Sequence, residues 1–570
     1  MTSNPRTRLW RSTLAASAAI AVTAGVVAAA PDSRQKAAAT PQLGLIAASK
    51  TVTITKYPWM NGVWLDLGTY VTSEGSPFEF KVNRKSYKDP VVAQQIIRQG
   101  KKTTTRTLPK GLVKDFTGLP GFVDVSITDA AGKPVLKTSQ TFCPNNASGR
   151  IRPDAPAKSK YPQSCPTNPF TLGSVWGVEK GWASNTYSGH YDDKGVDLAP
   201  GTYTAKVTVA KKYRDLFGMA NKPQTVKVTV DEYKEEPGQG ARGKAAAGAH
   251  AHHAAGHAGH GKAQPPANLM EATSGTAPTY NVGHGPHPPA PPALPWALKK
   301  SARTTANVGD KTGQTDGSRK SAAQKPNAQR PTGKASVPNV PKPDLRSLPA
   351  YGITIVDGKE YDAPGKDFMA FSANVWNAGP AKLVVDGFRK PGAELMDAYQ
   401  YFYDAKGKQV GYTPTGTMEW DPRPGHVHWH FTDFASYRLL KADKKEAVRS
   451  GKEAFCLANT DAVDYTVKNA NWHPGNTDLS TACGQENSIS VREVLDVGSG
   501  DTYTQDLPDQ SFDITGVPNG TYWIQVLANP DKRLKETSLT NNSALRKVVL
   551  GGKPGARTVT VPAHELVDAN

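Results

Sequence analysis

Between Lys234 and Asp344 the chain loses the composition needed to build a core. "GARGKAAAGAHAHHAAGHAGHGK" gives way to "HGPHPPAPPALP" and then to a run rich in Lys, Ser, Thr and Gln. A stretch so poor in large apolar residues cannot offset the entropy of ordering itself, so residues 234–344 are expected to be a disordered linker. Two flanking domains are then expected, at residues 50–233 and 345–552, with a tail at 553–570. Seven of its 13 histidines lie in the tract (His250, His252, His253, His257, His260, His284 and His287). They could scavenge metal loosely, but a tolerated low-complexity run is the simpler account.

Both flanking bodies read as strands. In the first, "TVTITKY", "GFVDVSITD", "PVLKTSQTF" and "GTYTAKVTVA" alternate apolar and polar residues between turn residues, the pattern of a β-sandwich-like accessory domain. No catalytic constellation stands out there, which leaves a spacer or a binding module. In the second, "YGITIVD", "DFMAFSANVWNAG", "AKLVVDG", "GTYWIQVLANP" and "ALRKVVL" are strand-like, and "DAKGK" makes a hairpin turn after Tyr403. Helical periodicity is almost absent, so the fold class expected is all-β throughout.

The N-terminus has Arg6, Arg8 and Arg11 ahead of an apolar run from Leu14 to about Ala30. This is the pattern of a secretory signal peptide over residues 1–30; an uncleaved anchor is the alternative, although the run is short for a full span. The first cysteine is Cys143, so a lipid-modified N-terminal cysteine is excluded. Nothing later resembles a membrane span, and the mature protein is expected to be extracellular. Four cysteines suit that compartment, and the local pairings Cys143–Cys165 and Cys456–Cys483 are favoured because each stays within one body. A formal charge of +19 invites a nucleic-acid partner, yet the basic residues are scattered and no recognition motif is present. Association with an anionic cell wall is the more economical use of that charge.

"PGHVHWHF" places His426, His428 and His430 at alternate positions. In a strand such residues project from one face, so the three imidazoles can converge on one cation. Imidazole suits copper, zinc, iron or nickel, and three protein ligands leave positions open for chemistry. A polar strand face that happens to carry histidine is the bland alternative. A cupin-type site is a poor match, since Asp433 stands where such a site wants Glu.

The run "TMEWDPRPGHVHWHFTDFASYRLL", then "GKEAFCL", "SGDTYTQ", the D-I-T…G-x-Y segment from Asp513 to Tyr522 and the E-x-x-x-T-N-N segment from Glu536 to Asn542 resemble the lysyl oxidase family in order and spacing. The resemblance covers roughly residues 346–551 and implies a β-sandwich catalytic domain. It also implies that His426, His428 and His430 bind copper, and that Lys452 and Tyr503 join to form lysine tyrosylquinone. Animal members carry more cysteines and a further histidine upstream of the triplet. The resemblance gives that position to Arg423, which implies that the extra histidine is not needed for the metal.

The activity implied by the resemblance is that of a secreted, copper- and quinone-dependent amine oxidase. Such an enzyme converts primary amines, peptidyl lysine among them, to aldehydes with release of peroxide and ammonia. A carboxylate must remove the α-proton, and Asp501, Asp506 and Asp433 are candidates. One rival is a non-catalytic metal- or cell-wall-binding β-protein that keeps the fold; it has no need of both Lys452 and Tyr503. Another is a zinc hydrolase, which gives Lys452 no role.

Overall fold

The computed structural model describes residues 41–58, 62–145, 148–187, 195–233, 331–390, 392–421, 428–452, 454–474, 483–484, 486–506 and 510–569. The regular secondary structure of its described residues is almost entirely β, as the alternation predicts, with Lys211–Phe217 the one α-helix among them. The expected signal peptide, His426, Arg423 and most of the expected linker lie outside the described residues.

The first body holds three sheets around one apolar core. Its five-stranded sheet runs Thr51–Lys56, Gln224–Glu232, Gly201–Val209, Leu119–Asp129 and Pro134–Phe142. The alternation does what it should: Val226, Val228 and Val230 are buried while Thr225 and Lys227 are exposed. Each such valine contributes about 1.5–3 kcal/mol, an upper bound for a fully extended reference chain. A four-stranded sheet begins with Gly173–Val178, which pairs with Phe78–Asn83. The Cys143–Cys165 bridge is formed, as the spacing favours.

The second body also has three sheets. In one, Asp367–Asn377 pairs with Ser499–Gln505, which pairs in turn with the two-residue strand Asp461–Ala462. In another, Gln409–Asp421 pairs with His428–Thr432, whose other edge takes Ala454–Phe455. The third carries Ala435–Leu440, Gly520–Ala528 and Ser543–Lys553. Phe371, Trp429, Phe431, Tyr437, Phe455 and Phe512 meet in the core.

Three expected boundaries move. Packed chain begins at Gln42, because Gln42–Ala47 pairs with Thr69–Glu74. It resumes before residue 345: Ser336 bridges to Tyr412, the Tyr412 hydroxyl donates to the Gly333 carbonyl, and the Thr537 amide donates to Pro343. Composition hides this segment because it is held through backbone groups rather than by apolar side chains. The tail expected from 553 contains the strand Ala556–Thr560, paired with Ser543–Lys553, and continues to a contact with Tyr87.

Candidate active site

Strand pairing brings the site's first half together. Asp421 stands opposite His428, Glu419 opposite His430 and Trp420 opposite Trp429. Cross-strand partners share a face, so the two histidines share theirs with two carboxylates while the tryptophans pack on the other. The His428 and His430 rings lie 4.6 Å apart, and the Trp420 and Trp429 rings 6.0 Å apart. Asp421 Oδ2 is 3.5 Å from His430 Nδ1, and His430 is 1% exposed. Burial, followed by the nearby Lys452, pushes the His428 imidazole down to about 4, with Asp421 acting against them. A neutral imidazole is the ligand form.

The second half comes from the chain after Ser450. Pairing of Phe455 with Phe431 and of Ala454 with Thr432 sets Lys452 beside the histidine strand. Lys452 is 3% exposed, and its amide donates to the Ser450 hydroxyl, which itself donates to the Gln510 carbonyl. The Lys452 Nζ is 5.2 Å from the centre of the Tyr503 ring and 5.5 Å from that of Phe455. Phe455 meets Tyr503 edge to face at 5.0 Å. The Tyr503 hydroxyl donates to the Cys456 carbonyl. Burial, with Asp501 and Glu493 nearby, holds that phenol well above the usual range.

The Cys456–Cys483 bridge is formed. The Cys483 carbonyl accepts from the Trp429 amide at 2.8 Å, so this bridge ties the lysine segment to the histidine strand.

The three candidate carboxylates separate. Asp433 occupies a left-handed turn position at φ 59° and is ion-paired to Arg533 at 2.7 Å, a structural role. Asp506 is half-buried near Tyr361. Asp501 is 2% exposed and two residues from Tyr503 on one strand, hence on the same face. Burial pushes its carboxyl well above the usual range, with the Ala458 amide and Lys452 pulling the other way. Sequence reasoning missed Asp421, Glu419 and Glu493. The signals were there: E-W-D alternates in step with H-W-H, and Glu493 interrupts the otherwise apolar side of "SVREVL". Glu493 is fully buried and accepts the Leu457 amide at 2.9 Å.

Among the described residues no group of three or more His, Cys, Asp or Glu is placed to hold a metal ion. The two described histidines and their shared face do suit copper chemically, with His426 the further donor named from the sequence.

The lysyl oxidase family profile matches residues 403–558. The chain carries a lysyl oxidase domain. Protein-lysine 6-oxidase of Homo sapiens is 34% identical over 125 residues, 22% of this chain and 26% of that protein. Lysyl oxidase homolog 3B of Danio rerio is 31% identical over 129 residues, 22% of this chain and 14% of the relative. Lysyl oxidase homolog 2 of Xenopus tropicalis is 29% identical over 136 residues, 24% of this chain and 16% of the relative. The chain thus matches between a seventh and about a quarter of these relatives' lengths. The lysyl oxidase domain as matched contains His426, His428, His430, Lys452 and Tyr503, while the first body lies outside it.

Proposed function

We propose that this protein is a secreted, copper-dependent amine oxidase of lysyl oxidase type. Primary amine, oxygen and water would enter, and aldehyde, ammonia and hydrogen peroxide would leave. Peptidyl lysine is one substrate of that class. The observation that carries the reading is the Lys452 amine held over the Tyr503 ring at 5.2 Å, in a buried setting beside His428. A protein that only binds metal or cell wall has no use for that pair.

His428 and His430, with His426, would hold copper, and Asp421 would fix the His430 ring through Nδ1. When bound, copper would supply oxygen activation, and a quinone made from Tyr503 and Lys452 would supply an electron sink for the amine. Phe455 and the Cys456 carbonyl fix the plane and the hydroxyl of Tyr503. Asp501 is the carboxylate best placed to take the proton from the carbon bearing the amine, because it is buried on the same strand face as Tyr503. Two disulfides support an oxidising compartment, and no helix among the described residues is long and apolar enough to cross a membrane.

The test is chemical. Protein exposed to copper and oxygen should yield, on digestion, one cross-linked fragment containing Lys452 and Tyr503, with a colour that phenylhydrazine titrates. Amines should then drive peroxide release. Lys452→Ala and Tyr503→Phe should abolish colour and peroxide while copper stays bound. Full activity in both variants would overturn the reading.

A further inference from the structure

The strand that carries Tyr503 has two faces, and they touch different partners. Asp501 and Tyr503 point toward Lys452, while Thr502 points the other way. Thr502 donates from its hydroxyl to Asp461, its amide donates to the Thr460 hydroxyl at 2.6 Å, and its own hydroxyl accepts from Asn374 at 2.7 Å. Asn168, from the first body, reaches this knot. Its amide donates to the Tyr351 hydroxyl at 3.4 Å, and its side chain also supports Asp461. Tyr351 in turn is hydrogen-bonded to Thr502.

The segment Asn168–Gly173 is built for this contact. The Leu172 amide donates to Val463 at 2.8 Å, the Tyr465 amide donates to Gly173 at 2.9 Å, and Gly173 forms a parallel bridge with Asp464. Phe170 is fully buried among Leu348, Trp376, Val463 and Val567 of the second body. A Cβ on Gly173 would sit 2.1 Å from Asp464 Oδ1, so any larger residue would force the Asp464 and Thr466 side chains to move. Arg84 holds the segment's shape from behind, donating to Thr171 at 2.9 Å and to Pro169 at 2.6 Å.

We propose that the first body is an intramolecular clamp on the oxidase site: Asn168–Gly173 grips Tyr351 and the chain from Asp461 to Tyr465, which back the tyrosine strand, and so keeps Tyr503 facing Lys452. Asn168 and Phe170 act as positioning residues, since neither touches the site itself. The role in cofactor formation rests on the oxidase reading, whereas the grip itself does not.

A protease site placed between residues 240 and 330 of the full chain tests the grip. After cleavage the two pieces should still elute together at micromolar concentration; separation would overturn the clamp. In the uncut chain, Asn168→Ala and Phe170→Ala should speed amide exchange across Ser499–Gln505 about tenfold, leaving Gly201–Val209 unchanged. Unaltered exchange in Ser499–Gln505 would overturn it as well. Should Phe170→Ala strip protection from Gly201–Val209, the first body has unfolded and Asn168→Ala alone decides. Copper content should match that of the unsubstituted protein in both variants, while the yield of Lys452–Tyr503 cross-link falls. If the unsubstituted protein makes no cross-link, the oxidase reading fails, and co-elution and exchange still decide the clamp.

Discussion

Cys456 and Cys483, joined by a disulfide, each lend a backbone carbonyl to the site: Cys456 to the Tyr503 hydroxyl and Cys483 to the Trp429 amide. One covalent link thus couples the lysine segment, the tyrosine ring and the histidine strand. It closes a loop with a sequence separation of 27. In the chain-entropy view such a loop is worth about 3.5 kcal/mol. Replacing both cysteines with serine should lower the urea midpoint accordingly and speed exchange at Trp429. An unchanged midpoint would show that the bridge adds nothing to stability.

Copper retention should depend on the histidine face and on its carboxylate. His428→Ala or His430→Ala should remove most of the bound copper. Asp421→Asn keeps both ligands but loses the charge facing His430 Nδ1, so affinity should fall about 10- to 100-fold. Competition against a chelator, on protein shown by circular dichroism to be folded, measures this. Copper held at full affinity by His430→Ala would remove the histidine strand from the site.

Asp501→Asn removes a base and keeps the shape. Amine-dependent peroxide release should fall about 10²- to 10⁴-fold per phenylhydrazine-titratable site. Asp433→Asn, which alters an ion pair with Arg533 at a turn, should change that rate little. Equal losses in the two variants would argue against Asp501 as base.

An acid-sensitive element lies in the first body, outside the residues matched by the lysyl oxidase family. Glu79, 5% exposed, receives two bonds from Arg98 at 3.0 and 2.6 Å, one from Tyr161 at 2.6 Å and one from Lys160 at 3.1 Å. Burial alone would raise its carboxyl, but Arg98, then Tyr161 and Lys160, outweigh it and hold it below its ordinary value of 4.5. A group depressed on folding gives stability that is present above the unfolded value and lost as pH falls through the folded one. Stability from this cluster should therefore be constant near neutrality and decline below about pH 4.5. Glu79→Gln should cost about 2 kcal/mol at pH 7, moderated because Arg98 and Lys160 can regain water, and should flatten the acid arm. Urea titrations from pH 3 to 7 would read both effects.

Much of this was legible in the sequence, for identifiable reasons. Period-2 alternation is local, so "HWHF" and the valines of "QTVKVTVDE" announced strands, and the valines a buried face. The proximity of Lys452 and Tyr503, 51 positions apart, came from resemblance, because no local rule joins a residue after Ser450 to one in a distant sheet. Asp421 could have been noticed, but only strand register sets it opposite His428. "NPFTLG" gave no hint at all: its grip on the second body combines backbone bonds with side chains whose partners lie far along the chain, which composition does not reveal. The same is true of residues 333–344.

Asp461–Ala462 is only two residues long and ends its sheet. The chain just beyond it, at Val463 to Tyr465, is covered by Leu172 and Gly173. An uncovered sheet edge carries unpaired amides and carbonyls that accept a strand from any neighbouring molecule. The first body therefore also occupies backbone groups of the second that would otherwise be open to pairing. A chain cut back to residues 331–570 would fail by sticking to itself, through that edge and the apolar hollow left by Phe170, before its own core gave way.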